Sequence, residues 1–588
     1  MSGVAGLFTK RVNATCKTNK EYIVQCMLSS INHRGPDYSS IWSDNNIAIG
    51  HVLLNIQDCS NVPRQPFAYN NLIMAFDGEI YNLKQLRSEL QTIHKTVNTE
   101  GDMEVLVKLF DYYGIDKTLS KIRGSFSIVL YDKEKNKLFL IRDRIGVKPL
   151  YMYSSTNEII FASEIKAILE NQNLDYSYNL DSFLLSLISR LWTDPIDTFF
   201  SNIKSIEAGT YVEIDMSGYK IHTYYSPSYS NIYTDVDTVI NEFSHLFISS
   251  INEKMPTKAP FCAFLSGGLD SSLMCKLLND YTDSPLATYT VYYDDGNHKD
   301  LYHANYLADI EMFNQRNILI TESDYSLDNI DNVIRAVEEP LLDKVYLPVY
   351  LNYKAAKEDR FKVVMNGQGA DELWLGYLFR WDIFKYINSE FTPTYLINNY
   401  FLPNMVFINK IRPELKDRIN EIMSSYLNKY LFNNQHSKDV DILNDISILS
   451  QKTILHNLLK QEDKLSMAHS IESRVPFVDD HRLIDLSLSI PGNMKIKDGR
   501  EKYILRAFGN SILPQKIIER EKYSFPEPLR QYNDRFRNIV KENWGSISSN
   551  PIIKEIIAPN FLKNDSYFND EEIWHLLVFW RFFEVFFK

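Results

Sequence analysis

The segment PFCAFLSGGLDSSLMCKLL, residues 260–278, limits the fold more than any other part of the chain. It has the pattern of an apolar strand, a turn of small residues and an amphipathic helix, in that order. Such a turn presents successive backbone N–H groups at the beginning of a helix, where unpaired donors and the helix dipole favour an anion. The pattern therefore predicts a phosphate-binding loop that joins a buried strand to a helix.

The side chains of this loop are suited to a nucleotide and its counterion. Gly267 and Gly268 let a phosphate approach the backbone, and the serines of the loop can add hydroxyl donors. These serines are Ser266, Ser271 and Ser272. Asp270 cannot receive a phosphate directly because both groups are anions, so its predicted task is to hold a Mg²⁺ that bridges the phosphates.

The periodicity of apolar residues changes along the chain. Residues 1–225 contain short apolar runs separated by turn residues, which predicts two layers of β-sheet. From about residue 235, long helical patterns alternate with single apolar strands, as expected for a parallel sheet flanked by helices. Beyond about residue 380 the pattern is mainly helical. A chain of 588 residues is too long for one core, and we expect two domains, residues 1–225 and 226–588.

Composition limits the partners and the setting. The net charge of −12 argues against general nucleic-acid binding, because neutralising phosphates requires clustered Lys and Arg. The five cysteines have no metal-ligand spacing and form no dense disulfide framework, which favours a reduced setting. No charged leader with an apolar core follows Met1, and no apolar run reaches about 18 residues. We expect a cytoplasmic protein without a membrane partner, whose aromatic ending, residues 573–588, is a docked helix, with a membrane-surface anchor as the alternative.

The loop and several further motifs together resemble the asparagine synthetase family over nearly the whole chain. SGGLDSS is similar to the pyrophosphate-binding loop of ATP pyrophosphatases. RGPD, GEIYN, RDRIGVKPLY and FASEIKAIL resemble the family's glutaminase domain, and VVMNGQGADELWLGY, DKLSMAHSIESRVPFVD and GREKYILR resemble its synthetase domain. The resemblance implies an α+β first domain, an Ntn-hydrolase-like αββα sandwich of class II amidotransferase type. It implies an α/β ATP-pyrophosphatase second domain, adenine nucleotide alpha hydrolase-like, with a helical C-terminal part.

The resemblance also implies a reaction and the residues that perform it. A carboxylate attacks the α-phosphate of ATP, pyrophosphate leaves, and an amine attacks the resulting acyl adenylate. Asp270 and Asp371 would ligate Mg²⁺, Lys522 would stabilise charge in the adenylation transition state, and Lys502 would be a second cation. A solvated surface charge is the alternative for each lysine. The positions implied in ATP binding are Leu265, Ser266, Gly267, Gly268, Leu269, Asp270, Ser271, Ser272, Val291, Asn366 and Gly367.

The positions that hydrolyse glutamine in this family are altered here. The family requires a thiol at position 2, which is Ser2 in this chain, and a hydroxyl is a poorer nucleophile than a thiolate. Leu53 stands where the family has the arginine that binds the glutamine carboxylate, and Asp77 replaces the amide donor of the oxyanion hole. Gly78 is kept, as is Asp102, which matches the family's binder of the glutamine amino group. We expect a degenerate glutaminase domain that no longer hydrolyses glutamine.

The synthetase motifs contain one further departure from the family pattern. Gln368 stands where asparagine synthetases have a glutamate and β-lactam-forming relatives a tyrosine, both implicated in handling the proton of the nucleophile. A neutral amide cannot act as a general base. We therefore expect Gln368 to orient the substrate while deprotonation falls to another group, such as Glu472, or to solvent. The change at Gln368 does not by itself exclude ammonia as the nucleophile.

These features lead to a hypothesis about function. We expect an ATP- and Mg²⁺-dependent, AMP-forming amide ligase in specialised metabolism, similar to β-lactam synthetases and lasso peptide cyclases in using an amine already present on a substrate. Its expected partners are small-molecule or peptide carboxylates and amines, and a homodimer is left open. An asparagine synthetase that uses ammonia, or residual glutamine, is the first alternative. A nucleotide-binding pseudoenzyme is the second.

Overall fold

Stacked antiparallel sheets form the first part of the chain and a parallel sheet forms the centre of the second part, in a computed structural model of the protein. The structure describes residues 2–10, 17–56, 64–99, 101–172, 174–188, 194–230, 232–293, 299–377, 394, 398, 405–432, 442–522 and 530–588. The strands are β1 Ser2–Thr9, β2 Tyr38–Ser43, β3 Ile47–Leu53, β4 Phe67–Tyr69, β5 Leu72–Ile80, β6 Gly124–Asp132, β7 Lys137–Arg142, β8 Tyr151–Ser154, β9 Glu158–Ala162, β10 Ile203–Ser205, β11 Thr210–Asp215, β12 Gly218–Thr223, β13 Phe261–Phe264, β14 Ala287–Tyr293, β15 Asn314–Ile320, β16 Val363–Met365 and β17 Glu472–Arg474. The α-helices are Lys17–Ser30, Leu83–Thr92, Asp102–Tyr113, Ile115–Lys121, Ile165–Leu169, Leu180–Ser186, Val236–Lys254, Leu269–Asp280, Lys299–Glu311, Leu327–Val337, Tyr346–Glu358, Ala370–Trp374, Leu415–Leu427, Ile442–Ser450, His456–Met467, His481–Leu488, Tyr503–Gly509, Gln515–Ile518, Arg530–Glu542, Trp544–Ser549, Pro551–Ile556 and Asp570–Phe586.

The first domain is an αββα sandwich. One sheet has the strand order β10-β8-β9-β1-β3-β2 and the other β12-β11-β7-β6-β5-β4. Apolar side chains of both sheets fill the space between them, for example Phe8 from the first sheet and Val129 from the second. Helix Lys17–Ser30 packs on the outer face of the first sheet and helix Asp102–Tyr113 on the outer face of the second. The predicted Ntn-type fold with two sheet layers is confirmed.

The second domain is built on a parallel sheet with the strand order β15-β14-β13-β16-β17. Successive side chains of a strand point to opposite faces. In β13, Ala263 packs in the same apolar cluster as helix Leu269–Asp280, whereas Cys262 packs in the cluster of helix Tyr346–Glu358. Because helices cover both faces, the central strand is apolar along its length. The predicted α/β architecture of this domain is confirmed.

The aromatic ending of the chain is a docked helix. Asn569 and Glu572 form a capping box at the beginning of helix Asp570–Phe586. The Phe579 ring lies 5.0 Å from the Phe183 ring of the first domain, in an edge-to-face arrangement. Among the described residues, none of the helices combines the length and the apolar character needed to span a bilayer. This helix therefore packs the helical C-terminal part against the first domain.

The predicted domain boundary near residue 225 lies between β12, which ends at Thr223, and helix Val236–Lys254. The sequence predicts no disulfide framework, and the three cysteines within the described residues, Cys26, Cys262 and Cys275, are free thiols. The other two cysteines, Cys16 and Cys59, lie outside the described residues.

Candidate active site

The strand, loop and helix expected from residues 260–278 are present, with the loop between β13 and helix Leu269–Asp280. The Ser266 N–H donates to Ser271 Oγ at 3.2 Å, and the hydroxyl oxygens of these two serines lie 3.0 Å apart. These bonds fold the loop over the first turn of the helix. The first turn of a helix has backbone N–H groups without acceptors inside the helix, which is the arrangement that receives a phosphate.

Position 267 requires glycine for two reasons, its backbone conformation and its close approach to a neighbouring helix. Its φ is +67°, in the left-handed region that side chains with a Cβ rarely adopt. A Cβ at this position would lie 2.5 Å from the backbone nitrogen of Ala304 in helix Lys299–Glu311. The loop can therefore pass this close to the neighbouring helix only with glycine at position 267.

A cavity of about 790 Å³ opens beside the loop. The predicted ATP-binding residues that line it are Leu265, Ser266, Gly268, Leu269, Asp270, Ser271, Val291, Asn366 and Gly367, whereas Gly267 and Ser272 do not. The other predicted residues on its wall are Gln368, Asp371, Lys502 and Lys522. Leu187 and Ile188 of the first domain also line it. Both domains therefore contribute to one cavity, which has the size of a small-molecule site.

Lys502 lies between the two predicted metal ligands. Its ammonium is 2.5 Å from Asp270 Oδ2 and also contacts Asp371 Oδ1, and the lysine side chain is 3% exposed. Lys522 Nζ lies 2.9 Å from Asp371 Oδ2. Burial opposes ionisation of Asp371, but the two ammonium groups outweigh it and hold the pKa of this carboxyl well below its ordinary value. Burial likewise opposes the charge on Lys502, and the two carboxylates outweigh it and raise the lysine pKa.

The carboxylates of Asp270 and Asp371 fit the chemistry of Mg²⁺. Asp270 Oδ1 is buried and accepts no hydrogen bond from the described residues. Mg²⁺ prefers oxygen ligands and is commonly held by one or two carboxylates together with substrate phosphates. Within the described part of the chain, no group of three or more candidate metal-ligating side chains is present. A metal here would therefore need ligands from a nucleotide in addition to Asp270 and Asp371.

A buried carboxylate that the sequence did not single out, Glu462, contacts the Gln368 side chain and lines the same cavity. Its Oε1 accepts hydrogen bonds from Asn366 Nδ2, at 2.9 Å, and from the Tyr353 hydroxyl. Burial raises the pKa of Glu462 to about 7, although the hydrogen bonds from Tyr353 and Gln368 act in the opposite direction. A carboxyl with this pKa can exchange a proton near neutral pH, which is what a general base requires.

Sequence reasoning missed Glu462 because its helix, His456–Met467, is buried at nearly every position. A helix without an exposed face gives no amphipathic pattern that would distinguish a cavity-lining position from a core position. The run of charged residues at positions 462–464 was the available signal, because charged groups are rarely buried without a partner or a task.

Glu472, the residue suggested for deprotonation, lies in β17 and does not line the cavity. Its Oε1 accepts a hydrogen bond from Arg474 Nε at 2.6 Å. Burial opposes its ionisation, but the Arg474 guanidinium outweighs burial and lowers the pKa of Glu472. A carboxylate held ionised by an arginine outside the cavity is poorly placed to accept a proton from substrate, so the geometry favours Glu462 for this role.

The altered glutaminase positions meet at one place in the first domain. Ser2 and Leu53 are paired directly between β1 and β3, and the Ser2 N–H donates to Asp77 Oδ1 at 2.9 Å. Arg34 Nη2 lies 3.0 Å from Asp77 Oδ2, and Arg34 Nε donates to the Ser2 carbonyl at 3.2 Å. The residue expected to replace the oxyanion donor is therefore part of a buried ion pair.

The two retained glutaminase positions lie close to this group. Gly78 follows Asp77 in β5 with a φ of +148°. Asp102 Oδ2 accepts a hydrogen bond from the Ile80 N–H at 3.0 Å. Burial, together with the neighbouring Glu79 carboxylate, raises the pKa of Asp102 to about 7. Ser2, Leu53, Asp77, Gly78 and Asp102 thus lie on β1, β3, β5 and the beginning of helix Asp102–Tyr113, and Asp77 adds a buried carboxylate among them.

A chain of buried ion pairs joins Asp77, in the first domain, to the second domain. Arg34 Nη1 lies 2.8 Å from Asp463 Oδ2 and 3.0 Å from Glu164 Oε1. Lys148 Nζ lies 2.9 Å from Asp463 Oδ1. Asp463 directly follows Glu462 in helix His456–Met467. Arg34 and Lys148 of the first domain therefore contact the helix that carries Glu462.

A sandwich of amidotransferase type, followed by a nucleotide loop whose cavity contains Asp270 and Asp371 paired with Lys502 and Lys522, defines an ATP-dependent amide ligase. Comparison with known families agrees with this class. The glutamine amidotransferase domain model matches residues 1–225, and the asparagine synthase model matches residues 242–579. The chain belongs to the asparagine synthase family.

Several relatives match most of the chain. Asparagine synthetase [glutamine-hydrolyzing] 1 of Bacillus subtilis (strain 168) is 28% identical, over 98% of this chain and 96% of that protein. Asparagine synthetase [glutamine-hydrolyzing] 3 of the same organism is 29% identical, over 85% of this chain and 83% of that protein. The putative asparagine synthetase [glutamine-hydrolyzing] 2 of Methanocaldococcus jannaschii is 30% identical, over 62% of this chain and 75% of that protein.

Proposed function

We propose that this enzyme adenylates a substrate carboxylate with ATP and Mg²⁺ and joins it to an amine that is not released from glutamine. The products are an amide, AMP and pyrophosphate. The proposed substrates are a small-molecule or peptide carboxylate and an amine already present on a substrate, which is the chemistry of specialised metabolism. In this proposal the first domain is a degenerate glutaminase.

The observation that carries the proposal is the buried ion pair between Asp77 and Arg34 beside Ser2. Glutamine hydrolysis creates a negative oxygen in its transition state, and a carboxylate at the donor position repels that charge. Losing even one donor of an oxyanion hole typically costs about 10²- to 10³-fold in rate. Leu53, next to Ser2, cannot bind the carboxylate of glutamine. Ammonia released from glutamine is therefore not the proposed nucleophile.

The adenylation step uses the phosphate-binding loop and the charged side chains beside it, Asp270, Asp371, Lys502 and Lys522. A carboxylate oxygen of the substrate attacks the α-phosphorus of ATP, and the bond to pyrophosphate breaks. The loop N–H groups orient the phosphates, while Lys522 and Lys502, on the cavity wall, balance the negative charge that develops. When bound, Mg²⁺ neutralises charge on the departing pyrophosphate.

Amide formation uses the carboxylate at the cavity wall. The nitrogen of the amine attacks the acyl carbon, the bond to AMP breaks, and the nitrogen loses a proton. Glu462 is the proposed acceptor of that proton because it lines the cavity and is held by Asn366 and Tyr353. Gln368 contacts Glu462 and has a positioning role, since an amide cannot accept the proton itself.

The test is to incubate the purified protein with ATP, Mg²⁺ and panels of carboxylates and amines, and to measure AMP, pyrophosphate and glutamate. We expect AMP and pyrophosphate in equal amounts, dependent on one class of carboxylate and abolished by Asp270→Asn. We expect no glutamate from glutamine. A Ser2→Cys variant should remain inactive toward glutamine because Leu53 and Asp77 are unchanged, and it serves as the matched control. Rapid glutamate release by the unaltered chain would contradict the degenerate-domain proposal.

A second candidate is an asparagine synthetase that uses free ammonia. The observation in its favour is similarity to asparagine synthetases over 98% of this chain. Formation of asparagine from aspartate, ATP and ammonium, at a rate above that of every other acid and amine in the panel, would favour this candidate. Amide formation with a different acid and a substrate amine would favour the first.

A further inference from the structure

Lys502 lies in the space between the two carboxylates to which the proposed function assigns Mg²⁺. Its ammonium contacts both Asp270 and Asp371 and is almost fully buried. Gly376 makes room for this arrangement, because a Cβ at that position would overlap both Lys502 Cε and Asp371 Oδ1. The remaining oxygen of Asp270, Oδ1, is buried and accepts no hydrogen bond from the described residues.

The charges of this cluster are balanced without a metal. Two carboxylates, Asp270 and Asp371, face two ammonium groups, Lys502 and Lys522. A divalent cation that entered with Lys502 in place would meet an ammonium at very short range in a poorly solvated site, where like charges repel strongly. A nucleoside triphosphate changes this balance, because its negatively charged phosphates can bind both the metal ion and the lysine ammonium.

We propose that Lys502 is a placeholder cation, which holds Asp270 and Asp371 together in the nucleotide-free enzyme and moves onto the phosphates when ATP and Mg²⁺ enter together. The inference deepens the proposed function and rests on its assignment of Mg²⁺ to these carboxylates. Lys502 is a positioning residue in the free enzyme and a phosphate ligand in the loaded one. Its consequence is that the metal binds tightly only with nucleotide, which disfavours an unproductive state with metal alone.

Metal binding without nucleotide tests the proposal directly, with Mn²⁺ alone as the probe and the free-ion electron paramagnetic resonance signal as the readout. We expect the unaltered protein to bind Mn²⁺ weakly and Lys502→Met to bind it at least about tenfold more tightly, because the variant leaves Asp270 without its ion pair and Asp371 with Lys522 alone. Adding a non-hydrolysable ATP analogue should make binding by the unaltered protein tight. This readout requires no amide product, so it stays informative if the proposed reaction proves wrong.

Lys522→Met is the matched control, since it removes the same charge from a lysine that contacts Asp371 on its other oxygen and is 27% exposed. We expect a rise in Mn²⁺ affinity of less than about threefold in this variant, because Lys502 still fills the space between the carboxylates. Equal Mn²⁺ affinity in the unaltered protein and Lys502→Met would overturn the proposal. Equal gains in the two variants would also overturn it, because they would show a general effect of charge.

A second measurement uses the unaltered protein, in case Lys502→Met fails to fold. A crystal structure with Mg²⁺ and the ATP analogue should have Lys502 Nζ within hydrogen-bond distance of a phosphate oxygen and away from Asp270. If Lys502 still bridges Asp270 and Asp371 in that complex, the placeholder role is wrong.

Discussion

Arg34 and Asp77 form an ion pair with 3.0 Å between Nη2 and Oδ2, and neither side chain has exposed surface. The same guanidinium contacts Asp463 of the second domain at 2.8 Å. A buried charge is costly to leave without its partners, so removing either side chain should destabilise the protein. Asp77 is therefore connected, through Arg34 and Asp463, to the helix that carries Glu462.

Replacing Asp77 by Asn should destabilise the protein and, if the proposed function is right, produce no glutaminase activity. The variant removes one negative partner of a buried guanidinium that keeps Glu164 and Asp463. We expect a loss of about 1–3 kcal/mol in the free energy of unfolding, less than for an arginine left with no partner. Urea unfolding measures this loss. Glutamate release from glutamine should stay at background because Leu53 has no charged group to bind the carboxylate of glutamine.

Asp197→Asn is the control for this prediction. Asp197 pairs with Lys204 on the surface, where both side chains are about half exposed. Exposed ion pairs contribute about 0–1 kcal/mol, so this variant should unfold nearly as the unaltered protein does. An equal loss in the free energy of unfolding of the two variants would show that the buried ion pair at Asp77 stabilises the protein no more than an exposed pair does.

The nucleotide loop and the glutaminase departures could be predicted from sequence because each is local. Residues 260–278 carry strand, turn and helix signals in order, and Asp270 occupies a fixed place within them. Ser2, Leu53 and Asp77 each sit in a short motif that can be compared position by position. These positions required no knowledge of which distant segments meet.

The cavity carboxylate and the ion-pair chain could not be predicted in this way. Arg34 and Asp463 are separated by 429 positions, and their contact depends on how the two domains pack. The raised pKa of Glu462 comes from burial, and its hydrogen bonds come from Asn366 and Tyr353, which lie elsewhere in the chain. The position of Glu472, the group suggested for deprotonation, could not be predicted for the same reason, because a sequence pattern does not reveal its pairing with Arg474 or its place outside the cavity lining.

Replacing Glu462 by Gln should remove the pH dependence of amide formation. Only the ionised carboxylate can accept a proton, and burial raises the pKa of Glu462 to about 7. The rate should therefore rise with pH and be about tenfold higher at pH 8 than at pH 6. In Glu462→Gln we expect a rate about 10²- to 10⁴-fold lower and no rise through pH 7, measured as amide product after rapid mixing.

Glu472→Gln provides the comparison. It removes a buried carboxylate that pairs with Arg474, so it should lower the melting temperature. Its rate profile should still rise through pH 7. If the rise disappears in Glu472→Gln and persists in Glu462→Gln, the proton acceptor has been assigned to the wrong residue.

Replacing Lys522 by Met should slow adenylation more than it weakens ATP binding. Lys522 lines the cavity and pairs with Asp371, while 27% of its side chain is exposed, so it can turn toward a departing pyrophosphate. Loss of a group that stabilises developing charge costs about 10²- to 10³-fold in rate. Pyrophosphate release, with the carboxylate that supports turnover, measures the effect. Lys516→Met removes the same charge outside the cavity, and a comparable loss there would indicate a non-specific effect.

Replacing Gly267 by Ala should disrupt ATP binding through the backbone of the loop. The variant puts a Cβ on a residue with a φ of +67° and 2.5 Å from the Ala304 nitrogen. The conformational cost is about 1–2 kcal/mol, and the close contact adds to it by pushing the loop away from helix Lys299–Glu311.

Gly114→Ala is the control, because Gly114 also has a positive φ, at +75°, but its Cβ would meet nothing within 4 Å. Calorimetric titration with ATP should therefore detect weaker binding only in Gly267→Ala, although the positive φ lowers the free energy of unfolding in both variants. Unchanged ATP affinity in Gly267→Ala would mean that the loop does not hold the phosphates.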